Sequence, residues 1–420
     1  MKFLIKKNLK GILFIFFFLA GLALINKLAL SLSVNHENFG KKVIAIYIPL
    51  FFTLFYYILL LLIDRYSNAN ILLTLSLFFF LTLLFLPYLN DTVEFVQDDS
   101  GREVLFATTM IEKGTLHGSD DVLRNTHLGT YIYQPGYRYF LAGCILLSGG
   151  VNRLLQINLQ MIFLLSVIFF TYKISVSGLQ EQIKRKVYYF LLLMSPVSVQ
   201  MVVHGLTEWL VVIMWLFFVG IFLTNQRSLL AIIILALIPF VRQNLILFIV
   251  ALFLFVAIRF KFKWYYWVVF FIVLLLPVYH NYYYAGKWAF FANYYNQSTK
   301  YLNFRTDDNK IIQNLVKAIS RRIFNYSGIN FWPFVIERTL MALCFLPYSL
   351  YFIYTLVSSI NKPLEKIIIY LLALFLIGPT LVLGDWYYPR FEWVNMTLII
   401  GTLLIWLSFS NRILFIKQNN

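Results

Sequence analysis

Charge is scarce in this sequence. Only 13% of its 420 residues are Asp, Glu, Lys or Arg, and 61% are hydrophobic, whereas a soluble domain carries about 25% charged and about 45–50% apolar residues. That shortage excludes an ordinary water-soluble globular domain. Carboxylates are scarcer still, 18 against 35 Lys and Arg, for a net charge of +17. In a soluble chain this excess would point to nucleic acid. In one this apolar it reflects basic cytoplasmic loops and contact with anionic lipid, so membrane lipid is an expected partner and nucleic acid is not. Cysteine is nearly absent. Cys144 and Cys344 both stand in apolar segments and offer no disulfide framework. The sequence also has no Gly-rich phosphate loop, no nucleophile elbow and no Cys/His zinc pattern.

What the chain has in abundance is long apolar runs, the first three at 12–32, 44–63 and 71–89, each near the ~20 residues that cross a bilayer. The first follows a basic N-terminus and lacks a small-residue cleavage site, so it reads as a retained helix rather than a signal peptide. About twelve net crossings are expected, near 12–32, 43–63, 71–90, 136–174, 187–203, 206–224, 228–241, 244–260, 264–285, 337–359, 366–384 and 391–409. The fold class predicted is an all-α integral membrane protein, a polytopic helical bundle. Phe and Tyr, 43 and 28 of them, cluster near helix ends as interfacial belts do.

Sidedness follows from Lys and Arg in short loops. The basic N-terminus belongs in the cytoplasm, and Lys184-Arg185-Lys186, Arg227, Arg259-Lys261-Lys263, Lys362-Lys366 and Arg412-Lys417 fall on the same side, with Lys41-Lys42 an exception. Both termini are then cytoplasmic in a multi-pass plasma (inner) membrane protein. The polar segments 91–135 and 286–336 face the periplasm or exterior. Segment 136–174 is too long for one straight span and is interrupted by Ser148-Gly149-Gly150, so 136–147 is read as a short re-entrant or surface helix covered by protein. The organisation expected is two extra N-terminal helices (1–70), a catalytic transmembrane core (71–285) with the first outer loop at 91–135, a second outer loop (286–336) and C-terminal helices (337–420). In the second loop, 309–324 places Ile311, Ile312, Leu315, Ile319 and Ile323 on one stripe with Lys310, Lys317, Arg321 and Arg322 mostly off it, the pattern of a basic amphipathic helix in the headgroup plane.

The first outer segment matters most. Residues 93–140 hold Glu94, Asp98, Asp99, Glu103, Glu112, Asp120 and Asp121, seven of the chain's 18 carboxylates. With the sidedness above, the polar residues at later helix ends converge on the same face: His204 and Glu208, Arg242 and Gln243, then Asp385, Arg390 and Glu392. Ionisable groups at membrane depth are costly and usually face a cavity or mark a substrate path. Plainer readings stand beside this one: a solvated turn for Asp98-Asp99, an ion pair with a helix-end arginine for Glu208, a bridge between helices for Arg242, and an interface marker for Arg390. His117, Asp120, Asp121 and His127 have metal-binding composition, but their spacing matches no known site and they are read as turn or support residues.

These residue types suit glycosyl transfer from a lipid-linked phosphosugar. An inverting transfer needs a carboxylate to take the proton from the attacking hydroxyl, and cations, best arginine, to hold the leaving phosphate. A polyprenyl-phosphate donor would keep its tail in the bilayer and its head at the outer surface. Asp98 or Asp99 is the candidate base, with Arg242 and Arg390 on the phosphate.

The order of motifs resembles the GT-C superfamily of integral-membrane glycosyltransferases, in the group with protein mannosyltransferases and the aminoarabinose transferase of lipid A. The residues that carry the likeness are FVQDDSGREVLFATTMIEKGTLHG, then YIYQPGYRYFLAGCILL, then SPVSVQMVVHGLTEWLVVIMWLF, ALIPFVRQNLILF and YYPRFEW. The likeness runs from residue 71 to the C-terminus. It implies that one of Asp98 and Asp99 is the base, that Arg242 and Arg390 contact the donor phosphate, and that Tyr133, Tyr137, His204, Glu208 and Gln243 belong to the substrate-binding set. The acceptor would be a lipid, a glycan or a protein. Some members of the superfamily hold a divalent cation on the acidic motif and others do not; were one bound here, Asp98 and Asp99 would be its ligands. The sequence departs from the family pattern in its two additional leading helices and in Gln134-Pro135 where Pro-Pro is common, and no large soluble domain is expected after the last helix. A repeat-unit polymerase of O-antigen or capsule, which would need late-loop arginines rather than Asp98-Asp99, and a polysaccharide-lipid transporter, which would carry repeats and mid-membrane charges, are the alternatives.

Overall fold

A computed structural model describes residues 99–114, 135–150, 153–181, 183–184, 187, 207–285, 288, 353–354, 356–358, 360, 362–382 and 389–418. The chain divides into two units, and all of these residues belong to the unit formed by Glu94–Asn325 and Tyr348–Asn420. The three leading apolar runs, Asp98, Tyr133, His204, the histidine–aspartate group at 117–127 and the amphipathic stretch 309–324 lie outside the described residues.

Among the described residues every regular element is a helix. In chain order they are α1 (Asp99–Lys113), α2 (Pro135–Ser148), α3 (Arg153–Val176), α4 (Thr207–Thr224), α5 (Leu229–Val241), a 3-10 turn (Gln243–Leu245), α6 (Ile246–Arg259), α7 (Trp264–Leu274), α8 (Leu276–Ala285), α9 (Pro363–Val382) and α10 (Pro389–Gln418). Among the described residues two stretches, Thr207–Thr224 and Trp264–Tyr283, are long and apolar enough to cross a membrane. The interruption read at Ser148-Gly149-Gly150 is where α2 ends, with Gly149 at φ +71°, a conformation open to glycine. At 14 residues and about 1.5 Å of rise each, α2 is shorter than a bilayer core of about 30 Å.

Helix α4 is the centre of the bundle, with α3, α5 and α10 packed around it. It carries two of the bulkiest enclosed side chains, Trp209 and Trp215. Trp215 donates its indole N–H to the Thr397 carbonyl of α10 at 2.9 Å. Gly401 leaves room for the ring: a Cβ there would fall on the Trp215 indole and 2.8 Å from Val219. Helices α4 and α5 form an antiparallel hairpin through the turn at 225–228.

Buried hydroxyls within these helices are satisfied locally. Ser166, Thr171, Thr402 and Ser408 each donate to a carbonyl three or four residues earlier, at 2.6 to 2.9 Å. This lets polar side chains sit in apolar surroundings without a partner on another helix.

Candidate functional site

Site geometry starts with the way α5 ends. Pro239 removes one backbone donor from the helix, and three residues later Arg242 leaves helical geometry at φ −145°, ψ 96°. A 3-10 turn over Gln243–Leu245 then reverses the chain into α6. The Arg242 side chain is thereby held at the helix end, buried to 8% exposure. Its Nη1 meets Glu208 Oε1 of α4 at 2.7 Å, and its Nε donates to Asn244 Oδ1 at 3.1 Å. Glu208 stands in the first turn of α4, where the helix dipole favours a carboxylate, and its other oxygen accepts from the Thr207 hydroxyl at 3.1 Å. The ion pair named above as the plainer reading of Glu208 is therefore formed, and its partner is Arg242.

A second buried pair lies on the neighbouring helices. Arg138 of α2 donates from Nε to Glu103 Oε2 of α1 at 3.2 Å, with both side chains at 5% exposure or less. The guanidinium lies over the Phe106 ring, 4.3 Å from its centroid, where cation–π attraction adds to the pairing. Two charges buried this deeply are costly unless paired, and each arginine here has its carboxylate.

Four consecutive residues of the first turn of α2 hold this end of the bundle together. Gly136 lies against Phe240 of α5 so closely that a Cβ would stand 2.9 Å from the Phe240 carbonyl oxygen and 3.0 Å from its carbon. Tyr137 is fully enclosed and accepts a hydrogen bond from the Trp209 indole N–H of α4 at 3.3 Å. Arg138 reaches α1. Tyr139 meets Phe240 and the His280 ring of α8, with centroids 5.7 and 5.9 Å away. Glu208 and Arg242 stand at the adjoining ends of α4 and α5, so both ion pairs flank one helical turn. Gly136→Ala is expected to lower stability by about 1–3 kcal/mol, because the obstacle is backbone and cannot swing aside. SDS-induced unfolding of the purified protein measures it, and a variant as stable as the parent would show that the α2–α5 contact yields freely.

Of the residues singled out from sequence, Glu208, Arg242, Gln243 and Tyr137 are brought together at this end of the bundle, all buried. Asp99 opens α1 four residues, and so one turn, before Glu103; its side chain is outside the described part. Arg390 occupies the first turn of α10, with its side chain likewise outside. The sequence reading did not single out Arg138, His280 or Asn281. Arg138 was hidden in the Tyr-rich YRYF. His280 and Asn281, both buried, are the polar interruption of an otherwise apolar stretch at Trp264–Tyr283, and that interruption was a usable signal.

Among the described residues no group of three or more His, Cys, Asp or Glu gathers as a metal site. The chain matches no family model, no curated protein and no solved structure.

Proposed function

We propose that this chain is a polytopic membrane glycosyltransferase of about twelve crossings, in the plasma (inner) membrane. It would move a sugar from a polyprenyl-phosphate donor to a lipid, glycan or protein acceptor on the outer face. The observation that supports this best is that Glu208 and the polar residues Arg242 and Gln243, distant from it in the chain, are gathered and buried where the ends of α4 and α5 meet. In this reading Asp98 or Asp99 takes the proton from the acceptor hydroxyl as its oxygen attacks the anomeric carbon. The bond from that carbon to the phosphate oxygen breaks, and polyprenyl phosphate leaves with the electron pair. Arg242 and Arg390 stabilise the charge that develops on the phosphate. Glu208 is a positioning residue: it holds the Arg242 fork in one orientation, so that less entropy is lost when phosphate binds. Tyr133, Tyr137, His204 and Gln243 complete the substrate-binding set.

Among the described residues the two buried Arg–Glu pairs lie near helix ends and not at the middle of a long apolar helix. That suits chemistry at a membrane surface better than carriage through the bilayer, which would favour charges near the midplane. The test is direct. Purified protein in lipid nanodiscs is incubated with a panel of polyprenyl-phosphate monosaccharides, and released polyprenyl phosphate is measured by mass spectrometry. Release from at least one donor, abolished in Arg242→Ala, is expected. No release from any donor by folded protein, with an acceptor-containing membrane extract present, would overturn the transferase reading.

A further inference from the structure

The run Trp264–Tyr283 has two unlike faces. One packs into the bundle through Tyr266, Phe270, Leu274 and Asn281, all buried. The other presents Val268, Ile272 and Leu275 to the outside, at 44%, 62% and 48% exposure, with no charged residue among them. Contiguous exposed apolar surface of this kind marks contact with another apolar phase. Its ends differ from its middle. Trp264 and Tyr265 are exposed at one end, directly after the exposed basic residues Arg259, Lys261 and Lys263. Tyr282 and Tyr283 are exposed at the other, with Tyr282 stacked on Trp288 at 4.1 Å. The run is two helices that meet at Leu275; its twenty residues at about 1.5 Å each reach at most about 30 Å, enough to match the thickness of a bilayer's hydrocarbon core. Trp and Tyr at that spacing are the signature of the two headgroup belts, and basic residues lie on the cytoplasmic side.

We propose that this face of α7–α8 contacts the acyl chains directly, with Trp264–Tyr265 at the cytoplasmic headgroups and Tyr282, Tyr283 and Trp288 at the outer ones. The inference rests on the membrane reading above and deepens it by setting the depth of the site. His280 lies between Tyr279 and Tyr282 and packs on Tyr139 and Phe240. The first turn of α2 and the end of α5, and with them both Arg–Glu pairs, are therefore level with the outer belt. A ligand met there carries its phosphate at headgroup depth, which is where a lipid-linked phosphate lies.

Spin labels on single cysteines at Trp264, Val268, Ile272 and Tyr283, in a Cys144→Ala/Cys344→Ala background, test this in nanodiscs of phosphatidylethanolamine and phosphatidylglycerol. Accessibility is measured with oxygen, which partitions into acyl chains, and with a water-soluble nickel chelate. Oxygen should dominate at Val268 and Ile272, and the two reagents should become comparable at Trp264 and Tyr283. If neither reagent reaches Val268 and Ile272, protein covers the face, either another segment of this chain or a second copy. That result overturns the proposal and leaves the membrane reading intact. If the nickel chelate dominates at both positions, the face is wet and both fail. Should Val268 not tolerate the label, Leu275 replaces it. The donor-release assay is independent of all these outcomes.

Discussion

Glu208→Ala is expected to destabilise the protein by about 3–5 kcal/mol, because it leaves the Arg242 guanidinium buried without its carboxylate. Arg242 is 8% exposed and Glu208 2%, so neither end of the 2.7 Å contact has water to replace the lost partner. SDS unfolding and the yield of folded protein read the effect. The double variant Glu208→Leu/Arg242→Met is the informative companion. Replacing both ends of a buried pair with apolar groups of similar size is often neutral or stabilising, so the double variant should recover most of the stability lost in the single one. Its transfer activity should nonetheless be absent, since the phosphate has lost its cation. A double variant that is both stable and active would remove Arg242 from the donor site and leave the pair a structural contact.

Asp98→Asn and Asp99→Asn separate the roles of the two carboxylates. At the base, the change should lower turnover by roughly 10²–10⁴-fold, the usual contribution of a positioned proton acceptor. Membrane insertion and stability should stay unchanged, because asparagine keeps the shape. Asp99 lies in α1, four residues before the anchored Glu103, and the two carboxylates stay equal candidates until the variants are compared. Donor release from each variant decides, and full activity in both would end the assignment of a base to this motif.

Much of the helical layout was legible. The apolar stretches read at 206–224, 228–241, 244–260 and 264–285 are helices with nearly those limits, because continuous hydrophobic composition closed by Asn225-Gln226-Arg227, by Arg242-Gln243-Asn244 and by basic residues at 259–263 leaves few alternatives. Part of the site was legible too. Glu208, Arg242 and Gln243 stood out because a charged or amide side chain inside an apolar run has few bland explanations. Arg138 escaped because its neighbours on either side are tyrosines that fit an interface as well as a core. Glu103 escaped because it is one carboxylate among seven in its stretch, and only a contact 35 residues away distinguishes it.

By itself, then, the amino-acid order determined that the described segments are helices, where they stop, and which polar residues needed an explanation. Those are matters of local composition, decided within a few turns of backbone. Pairing was decided only by tertiary structure. That Glu208 belongs to Arg242, that Glu103 belongs to Arg138, and that one turn of α2 ties both pairs to Trp209, Phe240 and His280 depends on which helix ends meet. The absence of a side chain at Gly136 and the bulk of Trp209 govern how closely those ends approach, as Gly401 and Trp215 do where α4 meets α10. Close packing is a property of the assembled bundle, and no periodicity along the chain encodes it.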